Sequence, residues 1–376
     1  MKILINCSTL SGTGVTQVAV SFIRECVNIT SNEYHVFLSK TVLNELTNSS
    51  FPSNFFFYTF ESHPIYGLKG FSVRKRLRQL ERNINPDCVF SVFGPSWWTP
   101  IKPHLIGYAY PHYVYQDSPF FKNISFFEIL KINVFRIIHV WFLKRNAKYF
   151  VCETEDVSER LTKLFNWKRE NIYTVSNTYN DFFNSYVKGR ENILPERTED
   201  EFRFLSLCSF APHKNLVILN KVIPLLNSRI VNNKIKFILT VDVDLFKELI
   251  DDRVKSSIIN LGRVDVDKCP QLYDECDALF LPTTLECFSA NYPEAMKMEK
   301  PIITSKLSFA TSICKDAALY FDPYDENDIV DVIEKLTKSP ELIENLVKSG
   351  ANQLNIVLTP GERAEKYLDI CREITK

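Results

Sequence analysis

The sequence predicts an α/β protein built from two doubly wound units, and three observations carry that prediction. Short apolar runs alternate with longer segments of helical period, as parallel strands covered by crossover helices require. At 376 residues the chain exceeds one ordinary core. The alternation lapses in a polar, charge-rich passage from Asp181 to Glu201 and then restarts, which marks a linker and divides the chain into 1–185 and 186–359.

The first strand is Ile3 to Asn6. A helix from Val15 to Val27 follows, because Val15, Val18, Ala19, Phe22 and Ile23 recur at helical spacing and form one apolar stripe. Strands are predicted at His35–Leu38, Phe55–Phe60, Cys88–Phe93, Leu105–Tyr110 and Tyr149–Cys152, with helices at Val73–Asn83, Ile124–Asn146 and Val157–Phe165. After the linker come strands Phe202–Cys208, Lys236–Val241, Ser257–Leu261, Ala278–Leu281, Pro301–Ser305 and Ala318–Phe321. Between them lie helices Leu216–Leu226, Leu245–Lys255, Pro270–Glu275 and Tyr292–Met298. A last helix, Pro360 to Ile374, begins with proline in its first turn.

Composition narrows the function classes. Lys plus Arg equals Asp plus Glu at 45 each, so no global field draws the chain to nucleic acid, and anion binding has to be local. Ten cysteines lie singly, without the paired spacing of a zinc or redox site, and are expected as reduced thiols of a cytoplasmic protein. Met1-Lys-Ile-Leu-Ile-Asn enters a strand directly, which fits the same compartment. Ile124 to Val151 is rich in Phe, Ile and Trp, but Lys131, Arg136, Lys144 and Arg145 interrupt it too often for a membrane span. A basic aromatic helix can lie on the inner face of an anionic membrane as a peripheral contact. A helix packed on the first unit's sheet has the same pattern, and that reading is preferred.

The most informative stretch is Glu286-Cys-Phe-Ser-Ala-Asn-Tyr-Pro-Glu294, just after the apolar run Ala278 to Pro282. Two carboxylates stand eight positions apart where a buried strand gives way to a helix, with small or aromatic residues between them whose N–H groups can face an anion. This stretch, with its Glu pair, Phe288 and Ala295, resembles the E-x7-E motif of the retaining glycosyltransferases of family four, which are GT-B enzymes using nucleotide-diphosphate sugars. Cys287 and Ser289 stand where that motif has glycine. Ile258–Gly262, Leu272-Tyr273, Asp277-Ala278, Pro282 and Lys300-Pro-Ile-Ile303 follow the family in order. The resemblance implies the GT-B fold, two Rossmann-like domains facing across a cleft, with helix 360–376 packed back on the first.

Ser209-Phe-Ala-Pro-His213-Lys214-Asn215 looks like the family's Gly-Arg-x-x-x-x-Lys-Asn motif. Lys214 matches, Ser209 replaces the arginine, and Arg263 is a candidate substitute cation. Ser11-Gly12-Thr13-Gly14 turns between the first strand and helix, and the dinucleotide fingerprint fails there because Gln17 holds its last position. His112 lies just past a strand, where members of the family carry a histidine near the transferred sugar. The resemblance therefore implies donor binding by Lys214, Glu286, Phe288, Ser289, Glu294, His213, Gly12 and Gly14, and catalysis by Glu286, His112 and Lys214. Asp242-Val-Asp244 and Asp265-Val-Asp267 match the metal-binding D-x-D of another transferase class and are read as acidic loops. No metal and no cofactor beyond the donor is expected.

The implied function is metal-independent, retaining transfer of a hexose from a nucleotide sugar to a glycan or lipid-linked glycan, in bacterial surface polysaccharide or lipopolysaccharide synthesis. The rivals are a GT-B sugar-nucleotide epimerase or phosphorylase, and a non-catalytic sugar-nucleotide-binding subunit.

Overall fold

A computed structural model describes residues 1–47, 49–189, 191–230 and 234–376. They form two compact units. Unit 1 comprises Met1–Gln116, Ile124–Asn177 and Leu358–Lys376, and unit 2 comprises Asp117–Asn123 and Thr178–Val357.

Unit 1 is built on seven strands: β1 (Lys2–Cys7), β2 (Glu33–Ser39), β3 (Phe55–Phe60), β4 (Cys88–Ser91), β5 (His104–Gly107), β6 (Tyr149–Cys152) and β7 (Ile172–Thr174). All pair in parallel, in the order β3-β2-β1-β4-β5-β6-β7. The order reverses between β1 and β4, which opens a crevice at their carboxyl ends. Parallel strands are covered on both faces, so they read as continuous apolar runs. Ile3, Leu4 and Ile5 of β1 and Val89 and Phe90 of β4 are all buried. Helix Thr13–Glu25 lays Ala19, Phe22 and Ile23 on this sheet, and helix Pro360–Glu373 seals them with Tyr367 packed edge-on to Phe22 at 5.5 Å.

Unit 2 has six parallel strands: β8 (Glu201–Ser206), β9 (Lys234–Leu239), β10 (Ile258–Asn260), β11 (Ala278–Leu281), β12 (Ile302–Ser305) and β13 (Ala318–Phe321). Their order is β10-β9-β8-β11-β12-β13, with the reversal between β8 and β11. Phe204, Phe237, Phe280 and Phe321 pack ring against ring through its core, Phe237 meeting Phe280 edge-on.

Several elements differ from the sequence reading. The helix expected over Leu245–Lys255 is two, Val243–Leu249 and Asp252–Lys255. Ile250 turns extended to bury its side chain, and the Asp251 N–H donates to Asn220 Oδ1 at 3.0 Å. Helices Lys40–Leu46, Ser308–Cys314, Glu326–Thr337 and Pro340–Leu354 were not anticipated. The expected packing of the Ile124–Asn146 helix is corrected: over Phe126–Asn146 only Leu143 and Asn146 are buried. Among the described residues, no helix is long and apolar enough to cross a membrane. All ten cysteines are free thiols.

Candidate functional site

Unit 2 gathers its chemistry where the strand order reverses. The chain leaving β8 runs through Leu207 to Asn215, and the chain leaving the adjacent β11 runs through Pro282 to Ala290 before helix Asn291–Lys297. These two loops are stitched together. The His213 carbonyl accepts from the Thr284 N–H at 2.7 Å, from the Thr284 hydroxyl at 3.0 Å and from the Thr283 hydroxyl at 3.1 Å. Asn291 Nδ2 donates to the Leu207 carbonyl at 2.7 Å, and the Ser118 hydroxyl to the Thr284 carbonyl at 2.6 Å. Asn215 turns left-handed with φ 54°, a conformation asparagine tolerates, and its Nδ2 donates to the Pro323 carbonyl at 2.7 Å.

This frame brings together Lys214 and Glu286, one from each loop. Lys214 Nζ donates to Glu286 Oε1, with their side chains only 18 % and 8 % exposed. Burial pulls the Lys214 pKa down, but the Glu286 charge, Cys208 and the bond to Glu286 raise it further, so the net shift is upward and the ammonium stays charged. A lysine held this way is a fixed positive charge in a low-dielectric setting, where it acts strongly on any anion that reaches it.

Glu294 lies on helix Asn291–Lys297, also buried. The Tyr273 hydroxyl donates to its Oε2 at 3.2 Å. Desolvation pushes its pKa to about 7, opposed by that hydrogen bond, so Glu294 changes charge near neutrality. Between the two carboxylates, Ser289 is buried and Phe288 half-buried. Among the described residues, neither of their N–H groups donates to a protein acceptor.

Other candidates fall elsewhere. Ser209 is exposed. Arg263 is exposed beyond β10, the edge strand, with β9 between it and β8. Asp242 caps helix Val243–Leu249, accepting from the Asp244 and Leu245 N–H groups, and Asp265 pairs with Lys268 at 3.4 Å. The described residues hold no group of three or more His, Cys, Asp or Glu able to bind a metal ion. His213 contributes its carbonyl to the stitching, and its ring lies 6.4 Å from that of Phe120. The sequence reading missed the Thr283-Thr284 clamp. Its signal was two hydroxyl residues directly after a strand and proline.

In unit 1, Gly12 and Gly14 follow β1 at its own reversal point. A Cβ on Gly14 would meet nothing within 4 Å, and one on Gly12 only Val15 Cγ2 at 3.5 Å. Neither glycine has a positive φ, so the folded chain itself does not need glycine at these positions. His112 sits half-buried in the turn Pro111–Val114 beyond β5, and desolvation lowers its pKa.

Comparison with known proteins bears on this geometry. Residues 191–353 match the family model described as "Glycosyl transferases group 1". A sequence comparison with curated proteins finds no significant match. Among solved structures, a glycosyltransferase from Rickettsia africae ESF-5 superposes with a TM-score of 0.72 at 15 % identity, covering 100 % of this chain and 98 % of that one. Anabaena Alr3699/HepE in complex with UDP and glucose gives 0.70 at 13 % identity, covering 99 % of each chain. WaaG, a glycosyltransferase involved in lipopolysaccharide biosynthesis, gives 0.69 at 14 % identity, again covering 99 % of each.

Proposed function

We propose that this chain, whose residues 191–353 match the glycosyl transferases group 1 model and whose fold is GT-B, is a retaining hexosyltransferase that uses a nucleotide-diphosphate sugar. The observation that carries this reading is the buried Lys214–Glu286 pair at the strand reversal of unit 2. In the proposed roles, Glu294 accepts hydrogen bonds from the ribose hydroxyls and Glu286 from the sugar ring. Lys214 and the N–H groups of Phe288 and Ser289 take up the charge that develops on the departing diphosphate. His213 and the glycines at 12 and 14 approach the donor's phosphates, and His112 faces the transferred sugar. Neither metal nor cofactor takes part.

UDP and glucose in the HepE complex make UDP-glucose the first donor to test. The acceptor is proposed as a glycan or lipid-linked glycan of surface polysaccharide, a reading supported by the involvement of WaaG in lipopolysaccharide biosynthesis. The reaction is assigned to the cytoplasm. The test is release of UDP from UDP-sugars with and without added acceptor. Acceptor-dependent release, unchanged by chelator, is expected. Chelator loss restored by manganese would overturn metal independence, and release without any acceptor would favour an epimerase or hydrolase. The exposed Ser209, where the family's arginine would add a second cation, favours one alternative, a binding subunit. Tight nucleotide binding with no turnover on any acceptor would establish it.

A further inference from the structure

The neutral total charge conceals a division. Of the 45 basic and 45 acidic side chains, unit 1 holds 23 and 16 and unit 2 holds 22 and 29, leaving net charges of +7 and −7. Much of the positive excess sits on two helices of unit 1. Helix Phe126–Asn146 carries Lys131, Arg136, Lys144 and Arg145 against Glu128 alone, and helix Gly67–Ile84 carries six Lys and Arg against Glu81 alone.

The same two helices expose apolar side chains. On the first, Phe127, Leu130, Val134, Ile137 and Trp141 recur at steps of three and four residues and therefore share one face. That face points outward, with Phe127 79 % and Trp141 52 % exposed. The opposite face is held to unit 1 by buried Leu143, by the Tyr113 hydroxyl bonded to His139 Nδ1 at 2.9 Å, and by the Asn146 carbonyl, which accepts from His104 Nδ1 at 2.9 Å. At the start of the second helix Leu68 is 92 % and Phe71 61 % exposed. Trp97 joins the two regions: its ring lies 4.7 Å from Phe142 and 5.9 Å from His63.

We propose that this face of unit 1 docks on an anionic phospholipid surface, with the Phe127–Trp141 stripe and Leu68 entering the headgroup region and the flanking lysines and arginines meeting lipid phosphates. Aromatic and aliphatic residues on one side of a helix, with basic residues around them, fit an interfacial rather than a spanning helix. Charge selects the occupant. A second copy of this face would bring two positive surfaces together, which anionic lipid instead complements. Docking of this kind does not depend on sugar transfer.

Trp97, Trp98 and Trp167 are each buried, so Trp141 is the exposed reporter among the four tryptophans. The full chain is mixed with phosphatidylcholine vesicles with and without phosphatidylglycerol, and both sedimentation and tryptophan emission are read. We expect co-sedimentation and a blue shift with phosphatidylglycerol only, weakening about tenfold when salt is raised to screen the charges. Phe127→Ser and the pair Lys131→Glu and Lys144→Glu should each cut vesicle binding by about tenfold at unchanged melting temperature, since these side chains are exposed. Trp141→Phe should keep sedimentation and lose the shift. The proposal is overturned by absence of binding at low salt, or by binding that the charge-reversal pair leaves intact. It is equally overturned by a dimer that Phe127→Ser dissolves while vesicles are ignored.

Discussion

At the residue scale, the Lys214–Glu286 pair makes truncation ambiguous. Lys214→Ala strands a buried carboxylate, which typically costs about 3–5 kcal/mol of stability, so lost activity in that variant mixes folding with chemistry. The double variant Lys214→Met with Glu286→Gln removes both charges. It should regain most of the melting temperature yet stay at least about a hundredfold slower in transfer. Glu294 supplies a pH signature. Its folded pKa of about 7 lies above the ordinary 4.5, so the unfolded chain releases this proton first as pH rises. Stability therefore falls from about pH 4.5 through about 7, by roughly 3 kcal/mol, and Glu294→Gln should flatten that slope in denaturant titrations. Nucleotide affinity should run the other way, strengthening as pH rises through about 7, because ribose hydroxyls donate to the ionised carboxylate. Both acids and Lys214 were legible from their spacing. The Thr283-Thr284 clamp was not, because its partner is a main-chain carbonyl whose place only the fold supplies.

At the element scale, the strands were the most legible features. Phe55–Phe60, Tyr149–Cys152, Ala278–Leu281 and Ala318–Phe321 coincide with the sequence reading end to end, because each is a run dominated by aromatic and aliphatic residues. Strand ends were harder. Cys88–Phe93 stops at Ser91 and Leu105–Tyr110 at Gly107, where apolar residues continue into loops that are themselves buried. Helix Glu326–Thr337 carried a readable stripe, Ile329, Val330, Ile333 and Leu336, behind the cap Asp325. Glycines separate structure from function here. A Cβ on Gly107 would lie 1.8 Å from the Val92 carbonyl oxygen, so Gly107→Ala should fail to fold. Gly14 is within helix Thr13–Glu25 with open space around it, so Gly14→Ala should raise stability by about 0.4–1 kcal/mol. If that stabilised variant also loses donor affinity, the glycine serves the ligand. If affinity is unchanged, the glycine has no role in donor binding.

At the scale of the whole molecule, two doubly wound units were legible from the lapse and restart of periodicity, whereas the charge division between them was not, since a sum of zero hides it. Each unit presents loops at the carboxyl ends of its central strands, and in unit 2 those loops hold the Lys214 ammonium against the buried Glu286, with the buried Glu294 on the helix that follows. The measurement that tests this most directly is a crystal structure of the protein with UDP. The diphosphate is expected at Lys214 Nζ and the N–H groups of Phe288 and Ser289, with the ribose on Glu294. UDP bound elsewhere, or a Lys214–Glu286 pair still closed and without nucleotide at saturating UDP, would contradict it.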